Sequence, residues 1–296
     1  MQYTLTCGGA TAVCDTLGGE LISYKTADGV ERVWCGDAAY WASHAPVLFP
    51  VVGSIKEEGI SIGGKLYQMA KHGFARKMEF EATEIGETSA TFTLKANEAT
   101  LAQYPAQFAL AITHTITETA FTTTYKVTNE GTEEMYFCIG GHSGFSCPIN
   151  AGENFSDYSL VFDTPVTQTQ PLYTDAATML HSDYRLALDW DGTTLPLKYS
   201  DFDNDAYILD GLAARSLSLV HNTTGEGVAY EFHGFEHLGI WTPPGKNAPF
   251  LCIEPWHGLP TDVTESGKME DKPCVTCLAA GEHYTAGYTS TIKFAK

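Results

Sequence analysis

The sequence predicts an all-β protein, a large antiparallel β-sandwich. Three observations carry that expectation. Thr, Val, Ile and Tyr recur in alternating runs along the chain, and aromatics make up 12% of its 296 residues; such residues suit pleated, half-buried strands. Glycine pairs and clusters such as Asn129-Glu130-Gly131 and Thr224-Gly225-Glu226-Gly227 separate the runs, as tight turns do. No stretch sustains the 3.6-residue apolar period of a long helix. There is no composition break, fixed-period repeat or low-complexity linker, so residues 1–296 read as one domain of two packed sheets.

Taken in order, the first 25 residues alternate weakly around Gly8-Gly9 and Gly18-Gly19, a pattern of short strands on tight turns. Residues 45–53 are apolar but broken by Pro46 and Pro50, which predicts a kinked internal segment. Residues 57–67 read as a hairpin turning at Gly63-Gly64. Short helical turns are expected at 97–104 and 209–214. The clearest alternation sets Phe108, Leu110, Ile112, His114 and Ile116 on one strand face. After a turn near 117–120, Phe121, Thr123, Tyr125 and Val127 form the return face. Residues 135–139 read as a further strand, and Leu217 and Leu219 pair through a turn with Val228, Tyr230 and Phe232. Phe250-Leu251-Cys252-Ile253 is an apolar run of the kind that forms a buried strand. Pro255 and Trp256 are expected to end it and change its direction.

The net charge of −19 argues against nucleic acid or an anionic membrane as partner. The N-terminal stretch lacks the basic start and long apolar core of a signal, and no run approaches the roughly 18 apolar residues of a membrane span. The expectation is a cytoplasmic protein whose 8 cysteines are free thiols.

Three groups among the 10 histidines carry chemical information. His72-Gly73-Phe74-Ala75-Arg76 places an imidazole and a guanidinium four residues apart, around a glycine that permits a sharp turn or close approach to a ligand. Without further evidence the segment reads as well as a loop with a surface arginine. His142 sits among Gly140, Gly141 and Gly144, small neighbours that expose an imidazole to a cleft. Gly141-x-Ser143 begins a nucleophile elbow, but Phe145 stands where the second glycine belongs. His233-Gly-Phe-Glu-His237 matches H-x-x-E-H, a zinc pattern that works only on a helix. Here the segment continues an alternating strand, on which the two histidines share a face too widely spaced for one zinc. Cys274-Val-Thr-Cys277 is a C-x-x-C without a second pair. Asp201, Asp203 and Asp205 cluster without the glycine and terminal glutamate of an EF-hand loop. Glu254, ending an apolar run, is expensive to bury unless paired or used. Trp256 beside it offers a flat apolar face.

Together these segments resemble the aldose 1-epimerase (galactose mutarotase-like) superfamily, closest to its LacX-type branch. The resemblance rests on His72–Arg76, on residues 140–145, on Asn204-Asp205-Ala206-Tyr207-Ile208-Leu209-Asp210, and on Gly239-Ile240-Trp241 leading into Cys252-Ile253-Glu254-Pro255-Trp256. It covers nearly the whole chain and implies a large antiparallel β-sandwich. It also implies interconversion of the α and β anomers of a free hexose, with no metal or organic cofactor. On that pattern Glu254 is the base at the anomeric hydroxyl and His142 the acid at the ring oxygen. His72 donates to a sugar oxygen, Asp205 holds hydroxyls, Trp256 packs on the sugar face, and Arg76 is a binding cation. Ser54 stands where related mutarotases carry a sugar-binding arginine, and a hydroxyl cannot replace a guanidinium. The partner implied is a small sugar, and the chain is expected to be a monomer or homodimer. Two alternatives stay open: a hexose-6-phosphate epimerase and a non-catalytic carbohydrate-binding protein on the same fold.

Overall fold

A computed structural model describes residues 1–295. Two antiparallel sheets dominate it. The nine-stranded sheet is centred on Phe108–Ile116, Ala120–Asn129, His283–Lys293 and Gly227–His233, paired in that spatial order. The strongest alternation in the sequence therefore lies at the middle of a sheet. The expected hairpin holds, with Phe121 opposite Ile116 and Tyr125 opposite Ile112. Leu217 likewise faces Tyr230 and Leu219 faces Val228.

The eight-stranded sheet carries Tyr207–Leu209, His237–Trp241, Phe250–His257, Ile139–Gly141 and Val47–Leu48 side by side, with Ser143–Ser146 also paired to Phe250–His257. Its inner face packs on the nine-stranded sheet: the Phe145 ring lies 5.8 Å from that of Tyr230 and 6.3 Å from that of Phe121. A Cβ at Gly141 would fall 2.8 Å from the Tyr288 ring, so a glycine is needed at this close approach between the sheets. A three-stranded sheet of Gln2–Cys7, Ala10–Asp15 and Glu20–Lys25 and two small two-stranded sheets complete the architecture. One of these is a hairpin, Ile60–Ile62 with Lys65–Tyr67, which turns at Gly63-Gly64 as expected, both at positive φ. No helix among the described residues is long and apolar enough to cross a membrane.

Four expectations need correction. The Phe250–His257 strand runs through Pro255 instead of ending there. Pro255 falls opposite Gly141 in the register, where its missing N–H costs one ladder bond and leaves the strand otherwise intact. Residues 135–139 are not one strand: Met135–Phe137 pairs with Thr276–Leu278, while Ile139–Gly141 joins the large sheet. Between them Cys138 donates its N–H to the Pro50 carbonyl. His233 and His237 do not share a strand face. The chain turns at Gly234 (φ +74°) and crosses from the nine-stranded sheet to the eight-stranded one. The expected helical turn at 97–104 is present as Glu98–Leu101, capped by Asn97, but the one at 209–214 is not. Asp210 is held there by the Arg185 fork at 2.6 and 2.8 Å, and the Leu212 and Ala214 carbonyls accept from the Arg215 side chain.

Candidate active site

Alternation builds the site. The pairings Gly140↔Trp256 and Ser143↔Ile253 belong to one register, which sets His142 opposite Glu254. From the other side Gly239 pairs with Glu254. Successive side chains point to opposite faces, so Leu251 and Ile253 turn inward while Cys252, Glu254 and Trp256 turn outward beside His142. Segments around Trp41, His72, Thr178, Asp205 and Pro260 cover that outer face and enclose a cavity of about 220 Å³. The cover explains why a glutamate in mid-strand is only 1% exposed.

Nε2 of His142 lies 3.2 Å from Oε2 of Glu254. The approach is not aligned as a hydrogen bond, and neither Glu254 Oε2 nor His142 Nδ1 has a partner among the described residues. Buried polar atoms are normally satisfied, so a carboxylate and an imidazole left this way beside a cavity mark a place where a ligand's polar groups fit. Burial pushes the Glu254 carboxyl well above the usual carboxylate range, with the Asp205 charge adding to it and Lys71 and Arg76 opposing. Burial holds His142 down to about 3, helped by the charges of Arg76 and Lys71. Both shifts favour the uncharged forms, a protonated carboxyl beside a neutral imidazole, with one transferable proton between the two members.

The remaining side chains are locked from behind. His72 has φ +66°, and its Nδ1 accepts from the Gly53 N–H at 3.0 Å. Burial, then the nearby His142, keeps its pKa well below normal, so the neutral ring has Nε2–H as its donor. Gly73 must stay small: a Cβ there would lie 2.1 Å from the Phe49 carbonyl oxygen. Arg76 follows on a 3₁₀ turn, Ala75–Lys77, donating to the Lys71 carbonyl at 2.8 Å while its Nε has no partner among the described residues. Asp205 Oδ1 accepts from Trp241 Nε1 at 2.7 Å, and its Oδ2 lies 3.4 Å from Lys71 Nζ. The Trp256 ring rests against Gly140 and Gly239, where a Cβ would fall 2.8 and 2.9 Å from ring carbons. All six residues singled out from the sequence, His72, Arg76, His142, Asp205, Glu254 and Trp256, line the one cavity.

The family model for aldose 1-epimerase matches residues 1–289. The chain belongs to the aldose 1-epimerase family. Two LacX proteins of Lactococcus lactis subsp. lactis, plasmid and chromosomal, are 36% identical to it over 288 residues, 94% of either chain. Their name carries no activity. A galactose mutarotase related enzyme from Lactobacillus acidophilus superposes with a TM-score of 0.92 at 29% identity, covering 100% of this chain and 98% of that one. A galactose mutarotase-like protein from Lactobacillus casei ATCC 334 gives the same TM-score and identity over 99% and 100%. The expected β-sandwich is therefore the fold of this aldose 1-epimerase family member.

Two further tryptophans flank His142, and neither has a role that the sequence motifs imply. Trp41 stacks on His142 with ring centres 4.7 Å apart and planes at 27°, and Trp241 meets the same imidazole edge-on at 5.5 Å. Trp241 stands in the Gly239-Ile240-Trp241 segment that carries the resemblance, whereas for Trp41 the sequence offers only the density of Trp34, Tyr40 and Trp41 in one short stretch. Ser54 does not line the cavity; its hydroxyl bonds to that of Thr178, which does. The cations at the cavity are Lys71 and Arg76. His142, Cys252 and Glu254 each offer one ligand atom within 4.8 Å of the others. Burial raises the Cys252 thiol well above its usual range, so ligation there has first to release that proton.

Proposed function

We propose that the protein is an aldose 1-epimerase that interconverts the α and β anomers of a free hexose by ring opening. The supporting observation is the buried His142–Glu254 pair, 3.2 Å apart and unpartnered at the base of a monosaccharide-sized cavity. Anomer exchange needs one group that gives a proton and one that takes it, and this pair holds one proton for two basic atoms. Passing it from Oε2 to Nε2 creates the glutamate base and the imidazolium acid. Arg76 and Lys71 favour the carboxylate in that form. Glu254 takes the proton from the anomeric hydroxyl, the bond from C1 to the ring oxygen breaks, and His142 protonates that oxygen. The open aldehyde rotates about C1–C2. The hydroxyl then attacks the other carbonyl face and the two residues exchange roles, restoring the starting proton count. Acid–base help of this kind is typically worth about 10²–10⁴-fold per group.

His72 donates from Nε2 to a sugar oxygen, Asp205 accepts from hydroxyls, and the Trp256 face packs on the ring. Magnetization-exchange NMR on free aldoses tests this reading. Exchange faster with the wild type than without protein, and lost in Glu254→Gln, is the expected result. Sugars that bind without any acceleration would overturn it in favour of a carbohydrate-binding protein.

A further inference from the structure

Two motifs that play no part in anomer exchange come together in space. Glu236-His237 closes the H-x-x-E-H segment where the chain enters the eight-stranded sheet, and Cys274 opens the C-x-x-C segment. One ligand atom from each of Glu236, His237 and Cys274 lies within 4.8 Å of the others. His237 is only 6% exposed, and its Nδ1 is buried without a partner among the described residues. Cys274 is exposed at φ +56°. Behind Glu236 stands His257, whose Nδ1 bonds to the carboxylate Oε2 while its Nε2 meets the Thr276 hydroxyl. A ligand held from behind by a second polar layer is characteristic of metal sites.

We propose that Glu236, His237 and Cys274 bind one thiophilic divalent cation of the zinc type. A carboxylate, an imidazole and a thiolate form a borderline-soft donor set that suits zinc and excludes magnesium or calcium. Zinc bonds of about 2.0–2.3 Å require the three atoms to draw in to roughly 3.5 Å from one another, a movement within the reach of the exposed Cys274 turn. Binding releases the Cys274 proton and leaves a fourth position for water. In the register His237 is opposite Trp256. The cation therefore ties the strand beneath the cavity floor to the loop that carries Cys274.

Cobalt titration of the reduced full-length chain tests the proposal through the thiolate-to-cobalt charge-transfer band. The band is expected to saturate at one equivalent and to vanish in Cys274→Ser. It should weaken about tenfold or more in His237→Gln, and by about 10–100-fold in His257→Gln, which touches only the supporting layer. Cys252→Ser should keep it. Zinc should displace the cobalt and raise the melting temperature of the wild type but not of Cys274→Ser. Absence of any band, a band that survives Cys274→Ser, or one lost in Cys252→Ser would overturn the site.

Discussion

His142 and Glu254 face each other across adjacent antiparallel strands, in one register with Gly140↔Trp256 and Ser143↔Ile253. Their 3.2 Å approach is thus a property of strand pairing and does not depend on loop conformation. Glu254→Gln and His142→Asn should each lower kcat for anomer exchange by about 10²–10⁴-fold. The double variant should lose little more than either single one, because the residues act as a unit. Additive losses in a kinetic cycle would show that they act separately.

Trp41 keeps water from one face of His142. In Trp41→Ala the imidazole should titrate upward from about 3 toward the ordinary histidine value, since burial is the main cause of its depression. NMR titration of the ring reads this directly. An unchanged value would mean that the charges of Arg76 and Lys71 dominate instead.

Arg76 is the cavity cation whose Nε lacks a partner. For a neutral hexose, Arg76→Ala should raise KM for free and 6-phosphorylated sugars alike. A selective rise for the phosphorylated sugar would move the substrate assignment to hexose 6-phosphates.

Gly239→Ala would set a methyl 2.9 Å from the Trp256 ring and 3.2 Å from the Glu254 Cβ. Overpacking of this kind costs about 1–3 kcal/mol, and displacement of the carboxylate by an ångström is worth about 10²-fold in rate. The variant should remain folded by circular dichroism while kcat falls. Full activity with the lowered stability would show that the Trp256 floor does not position Glu254.

His114 supplies a pH signature unrelated to catalysis. Its ring is buried between the Gly19 carbonyl, which accepts from Nε2 at 2.8 Å, and the Thr123 hydroxyl at 3.0 Å. Burial lowers its pKa to about 4. With a folded pKa below the unfolded value of about 6.5, its contribution to stability is complete above pH ~6.5 and is lost as pH falls toward 4. The full loss is ~3 kcal/mol. Denaturant unfolding at a series of pH values should show a shallower acid limb for His114→Gln than for the wild type.

The residues most legible in the sequence are those governed by short-range pattern. Period-2 alternation located Phe108–Ile116 with its return strand, and glycine pairs located the turns. What stayed hidden depends on partners distant in sequence. Pro255 reads as a strand terminator, yet pairing with His237–Trp241 on one side holds the strand through it. His233 and His237 look alike until the turn at Gly234 sends them to different sheets. Trp41 contacts His142 from a hundred residues away, with no local signal for that contact.

Glu254 and Trp256 are borne on a paired strand and His142 stands between two strands paired to it, whereas His72, Arg76, Thr178 and Asp205 arrive on turns, three of them at positive φ. Loops tolerate sequence change far better than the middle of a sheet does. Grafting different turns onto the same strands should therefore redirect which sugar is accepted while the proton-moving machinery stays in place. For engineering, that makes the covering turns the positions to randomise and the sheet the part to leave alone.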